Sequence, residues 1–212
     1  MKEIFGSPTK IPLEYKEFKK KMGKAFKRRD GLVLWRISDL AERCEGLAKK
    51  EMNEKTQGQL LVCLGILSHY VGDLSMPLHV AENHDGEMTG QKGIHSYFEA
   101  VMVDALDPEL KPEVLKAARD VYAQYVKSPK PLDVRVRELM AESFSHSEEL
   151  LALDKKIDRK NIAASAKVFE PMIKSQLARG AAAITVVWEE VLKNVSDFND
   201  KKFYFFDGEP EY

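Results

Sequence analysis

From Leu60 to Val71 the chain reads LLVCLGILSHYV, apolar at almost every position a helix would present, so the segment is expected inside the protein rather than on its surface. The helix that carries it is predicted to start near Gln57. It should end just before Pro77, because a residue preceding proline is pushed out of helical geometry. A buried helix seldom carries an unpaired carboxylate, since leaving one ion desolvated costs several kcal/mol, about 3 or more. Asp73, near the end of this helix, therefore calls for a cation.

The rest of the chain is read around that helix. Upstream, Leu13 to Arg29 is charged, with Phe18, Met22 and Phe26 recurring every four residues, and Asp30–Gly31 breaks the pattern. A second helix is predicted over Leu32 to Met52, its apolar stripe formed by Leu34, Ile37, Leu40, Ala41, Cys44 and Leu47, with Trp35 expected in the core. Residues 80 to 93 contain Gly86, Gly90 and Gly93 and follow neither period, which predicts a loop. A fourth helix should begin around Ile94 and carry His95, Phe98, Glu99 and Met102 on one side. Further helices are predicted over 111–127, 132–154 and 160–195, the last bent or divided by Pro171 and buried through Leu177, Ala181, Ile184, Trp188, Val191 and Leu192. The end, FNDKKFYFFDGEPEY, is expected to dock its aromatic run on the body. No stretch alternates as a strand would, so the fold class is all-α: a multi-helix bundle in one domain, with 196–212 as a tail.

Composition narrows the function. At 44% hydrophobic residues, 212 residues can build a proper core. Residues 1–60 hold 15 Lys/Arg against 9 Asp/Glu, mostly in EYKEFKKKMGKAFKRRD, a pattern expected to be a solvated helix face, with contact to nucleic acid or membrane as the alternative. Two cysteines, Cys44 and Cys63, exclude a disulfide framework and a zinc knuckle; they are expected as core thiols, able to bridge only if their helices pack together. No apolar run approaches the roughly 20 residues that span a bilayer. MKEIFGSPTK lacks the apolar segment of a secretory signal, so a secreted or periplasmic location would require a leader already removed.

Four of the five histidines, His69, His79, His84 and His95, fall between Leu60 and Glu99. His69 precedes Asp73 by four residues and His95 precedes Glu99 by four, so on helices each pair shares a face. Imidazole and carboxylate are the donors zinc takes at roughly 2.0 to 2.2 Å. Because Pro77 turns the chain, His79 is expected to point back toward the fourth helix. His79, His95 and Glu99 would then form a two-histidine, one-carboxylate site with a fourth position left for water or substrate. His84, next to Asp85, is expected in solvent, with a substrate contact as the alternative, and His146 on a helix surface or in packing.

The spacing H-x3-D-x5-H-x15-H-x3-E, set in GDLSMPLHVAENHDGEMTGQKGIHSYFE, resembles the core of the zinc-dependent phospholipase C and single-strand nuclease superfamily, the family of the nuclease called P-one. GLVLWRISDL upstream and SQLARGAAAITVVWEEVL near the end are similar to further elements of that family. The resemblance implies a helical domain in which up to three zinc ions hydrolyse phosphate esters. His69 would bind one zinc and Asp73 would bridge it to a neighbour, while His79, His95 and Glu99 bind a third, more separate ion. It further implies that Asp73, as the catalytic residue, orients a zinc-coordinated water, and that the resulting hydroxide attacks phosphorus. In the family the paired ions also use an amino-terminal tryptophan and further histidine and aspartate ligands. This sequence has no histidine before His69, so it resembles a member that starts after its first helices. The reading is a zinc-dependent phosphodiesterase acting on nucleic acid or a phospholipid head group, with Tyr70, Tyr97 and Phe98 as the aromatics available to a substrate. The alternative is a non-catalytic helical zinc-binding protein that has lost the paired site.

Overall fold

Helical periodicity is realised through most of the residues that the computed structural model describes, which are 8–26, 32–106, 110–193 and 195. No β-strand occurs among them, and the protein is an all-α multi-helix bundle. The first helix, α1, is Tyr15–Met22, shorter than the periodicity suggested because Gly23 adopts φ 52°, a conformation that ends a helix. The break expected at Asp30–Gly31 lies outside the described residues, as does the aromatic tail.

Helix α2, Val33–Ala48, buries every residue of its predicted stripe. Trp35 is half-buried against Phe18, with ring centroids 4.6 Å apart, and its indole N–H donates to the Leu13 carbonyl at 2.7 Å. Helix α3, Glu54–Asp73, starts three residues earlier than predicted because Asn53 caps it, its Oδ1 accepting from the Thr56 N–H at 3.1 Å. It is not buried all round. Leu60, Cys63, Leu64, Leu67 and Val71 face the core, while Val62 is 64% exposed and Ile66 lies on the same open side. Neighbours cover α3 from one direction only, which apolar content alone could not reveal.

After the loop come α4 (Ile94–Ser96), a π turn (Tyr97–Val101) and α5 (Met102–Leu106) in place of the single fourth helix expected. Then follow α6 (Leu110–Lys127), α7 (Leu132–Ser145), α8 (Ser147–Asp154) and α9 (Ile162–Leu192). The predicted helix over 132–154 is split at His146, where Ser145 Oγ donates to the Glu142 carbonyl and Ser147 Oγ to that of Phe144. Serines that bond back to the chain in this way compete with helix continuation. Pro171, conversely, does not divide α9: Phe169, Met172 and Ile173 are buried on both sides of it, and their packing outweighs the one hydrogen bond proline forgoes.

Helix α9 is the spine, packing against α2, α3, α5, α6 and α7. Its inward face matches the predicted one only in part. Val191 is buried as expected and Ile184 and Leu192 are partly buried, but Leu177, Ala181 and Trp188 are exposed, and Ala178, Gly180, Ala182, Ala183 and Val187 are buried in their place. Small side chains let neighbours approach closely: a Cβ added at Gly180 would lie 2.6 Å from Ser75 Oγ, in the bend that follows α3. One core joins α1, α2, α3 and α7 to the second half of α9. The other, containing Met76, Leu78, Ile94, Phe98, Met102, Phe169 and Ile173, packs the first half of α9 against the bend and the π turn.

Cys44 and Cys63 are free and buried in the first core, where the Cys63 thiol donates to the Leu40 carbonyl at 3.6 Å. Burial is the main force pushing the Cys44 thiol well above its ordinary range, with Cys63 adding to it. The native protein should therefore release almost no colour from Ellman's reagent at pH 8, and two thiols per chain once unfolded. Because the folded value is raised, stability from this thiol is complete below the ordinary thiol range and declines as pH rises beyond it.

No helix among the described residues is long and apolar enough to cross a membrane.

Candidate metal centre

The site is built where α3 stops. Ser75 N–H bonds back to the Gly72 carbonyl at 2.8 Å and Met76 N–H to that of Asp73, closing the last turn before Pro77. Leu74, Met76 and Leu78 are buried, so the bend is pinned to the interior and His79 emerges beside the end of α3. His95 lies in α4 and Glu99 in the π turn, where the Met102 N–H reaches the Tyr97 carbonyl, the wide i to i+5 bond often found at functional positions. Phe98 and Met102 point inward, Phe98 meeting Phe169 edge to face at 5.4 Å, whereas Glu99 is exposed and the half-buried His95 faces it. The four were predicted on one side. The turn sets them on two.

Three of the five predicted ligands converge. His95 Nε2 lies 3.0 Å from Glu99 Oε2, His79 Nε2 lies 3.5 Å from Glu99 Oε1, and the donors of all three fall within 4.8 Å of one another. Two donors at about 2.1 Å from one tetrahedral ion stand roughly 3.4 Å apart, a spacing that the two contacts to Glu99 approach. Asp73 stands alongside, Oδ1 3.9 Å from His79 Nε2 and Oδ2 3.6 Å from His69 Nε2. His69 is 70% exposed and connects to the others only through Asp73.

A supporting layer orients His95. Its Nδ1 lies 3.0 Å from the His84 carbonyl oxygen, which can only accept, so Nδ1 carries a proton and Nε2 faces Glu99. Asp85 accepts from the Gly93 N–H at 3.0 Å and the His95 N–H at 3.1 Å, and these two bonds, Gly93 first, hold its carboxyl below the usual range. Gly86, at φ 73°, must be glycine, since a Cβ there would meet the Gln91 carbonyl oxygen at 2.6 Å. Gln91 Nε2 in turn donates to the Leu151 carbonyl and to Asp154 Oδ2, and Arg159 clamps Asp154, the Gln91 carbonyl and the Lys92 carbonyl together.

Several expectations need correcting. His84 is exposed as predicted, yet its ring lies 4.2 Å from that of His95 and 6.0 Å from that of His79, so it belongs to the imidazole cluster rather than to free solvent. Tyr97 and Phe98 are buried and unavailable to a substrate; Tyr70 is half-buried against the core. His146 is a helix-end residue paired with Glu149 at 3.1 Å. Asp85, Gln91, Asp154 and Arg159 went unnoticed in the sequence. The available signal was an aspartate directly before a glycine in an aperiodic loop.

No protein-family model, curated protein or solved structure matches this chain.

Proposed function

We propose that the chain is a zinc-dependent phosphoric ester hydrolase resembling the phospholipase C and nuclease P-one superfamily, with His79, His95 and Glu99 holding an ion and Asp73 beside it. The observation that carries this reading is the convergence of two imidazoles and a carboxylate from two stretches of the chain, the bend at His79 and the helical stretch holding His95 and Glu99, with all three donors within 4.8 Å of one another. Zinc bound there supplies Lewis acidity to a phosphoryl oxygen and lowers the pKa of water toward neutrality. Asp73 stands next to the three donors rather than among them, so its carboxylate is free to accept a hydrogen bond from a water and orient it. Glu99, 48% exposed, leaves one side open to substrate.

The test is turnover of a chromogenic phosphodiester by zinc-loaded protein. Asp73→Asn is expected to lower kcat by about a hundredfold or more, the range of a lost acid–base group, while zinc affinity at His79, His95 and Glu99 changes little. A second reading, a zinc-binding protein without catalysis, draws on the isolation of His69, for which Asp73 is the one neighbouring donor of metal type seen among the described residues. Zinc binding without any turnover would select it.

A further inference from the structure

We infer that Asp85 is a positioning residue for His95: by gripping two backbone N–H groups it holds the loop so that the His84 carbonyl meets His95 Nδ1 and leaves Nε2 to face the site. The inference rests on the metal-centre reading above but concerns an atom that reading does not use.

The argument runs through the connectivity. His84 and His95 are eleven residues apart, and a loop of that length does not bring one carbonyl to one ring nitrogen unless something sets its register. Asp85 is the residue next to that carbonyl. Its Oδ1 takes the N–H of His95 itself and its Oδ2 that of Gly93, so both ends of the loop are tied through one carboxylate. Gly93, at φ 86°, is in the left-handed conformation that starts α4 at this point. The Asp85 N–H is also used, donating to Glu87 Oε2, and Gly86 accepts from the Thr89 and Gln91 N–H groups, so the residue is itself held from both sides. His84 is steadied in the same way, its Nδ1 lying 3.3 Å from the Leu78 carbonyl. An imidazole free to flip would present either nitrogen to an ion; one whose Nδ1 donates to a fixed carbonyl presents only Nε2.

Two measurements separate this inference from the function proposed above. In metal-free protein labelled with nitrogen-15 at histidine, His95 Nδ1–H should give a resonance protected from exchange with water. Asp85→Ala should remove that protection while leaving the His146 signals unchanged, and Asp85→Asn, which keeps one acceptor oxygen, should restore part of it. Zinc titrated into the same samples should bind Asp85→Ala ten- to a hundredfold more weakly than wild type, the usual effect of losing an outer partner of a ligand. Protection at His95 that is absent in wild type, or unaltered in Asp85→Ala, overturns the role of Asp85. A wild type that shows the protected proton but takes up no zinc upholds that role and overturns the metal centre.

Discussion

Zinc supplied at about a hundred times its dissociation constant is expected to raise the thermal midpoint of this protein by roughly 5–10 °C, and His95→Ala to cancel the rise. Ligand that binds only the folded state at that excess contributes about 2.7 kcal/mol. Each kcal/mol moves the midpoint of a chain this long by roughly 2–4 °C. The unfolded chain scatters His79, His95 and Glu99, whereas the folded one gathers them from the bend, α4 and the π turn, so the linkage has the required sign. His95 is the stringent choice because its side chain, 15% exposed, donates from Nδ1 to the His84 carbonyl and turns Nε2 toward Glu99. A chelator should return wild type to its original midpoint and leave His95→Ala where it was. Differential scanning calorimetry reads both; identical midpoints with and without zinc in wild type would rule the centre out.

The second large effect concerns the clamp under the loop. Arg159→Ala should destabilise the protein by about 3 kcal/mol, a midpoint fall of roughly 6–12 °C. Asp154, its side chain 3% exposed, receives two guanidinium hydrogen bonds of 2.7 Å, and removing the cation leaves a buried carboxylate with Gln91 Nε2 as its side-chain donor. Breaking a buried pair from one side typically costs 3–5 kcal/mol; partial exposure of Arg159 puts the expectation at the lower end. The Lys92 carbonyl loses its guanidinium donor and the Gln91 carbonyl keeps only the Ile94 N–H, so the loop loosens and zinc affinity should fall alongside stability. Lys167→Ala, at an exposed position on α9, the helix that follows Arg159, serves as the control and should shift stability by less than about 0.5 kcal/mol. Equal midpoints for the two variants would remove Arg159 from this role.

The all-helical architecture could be read from periodicity because amphipathic stripes such as Leu34–Leu47 report a buried face directly. Where hydrophobicity and packing diverge, reading failed. On α9 the large apolar residues drew attention to Leu177 and Trp188, while close approach by neighbouring helices selected Ala178, Gly180 and Ala182. Val62 on α3 misled for the opposite reason, since nothing in a sequence says from which side neighbours will come. The convergence of His79, His95 and Glu99 was legible because proline, helical spacing and residue type all pointed to one place. Its supports were not: Gln91 meets Leu151 and Asp154 across some sixty residues, and such contacts leave no local pattern.

The spine also bears on how the protein is made. Every proposed ligand has left the ribosome once Glu99 emerges, yet Phe169, Met172 and Ile173, which floor the bend and the π turn, are still to be synthesised. A nascent chain that has reached only Lys160 thus holds all the donors without the surface they rest on. The packing beneath the donor cluster is therefore complete only once the closing segment has been translated.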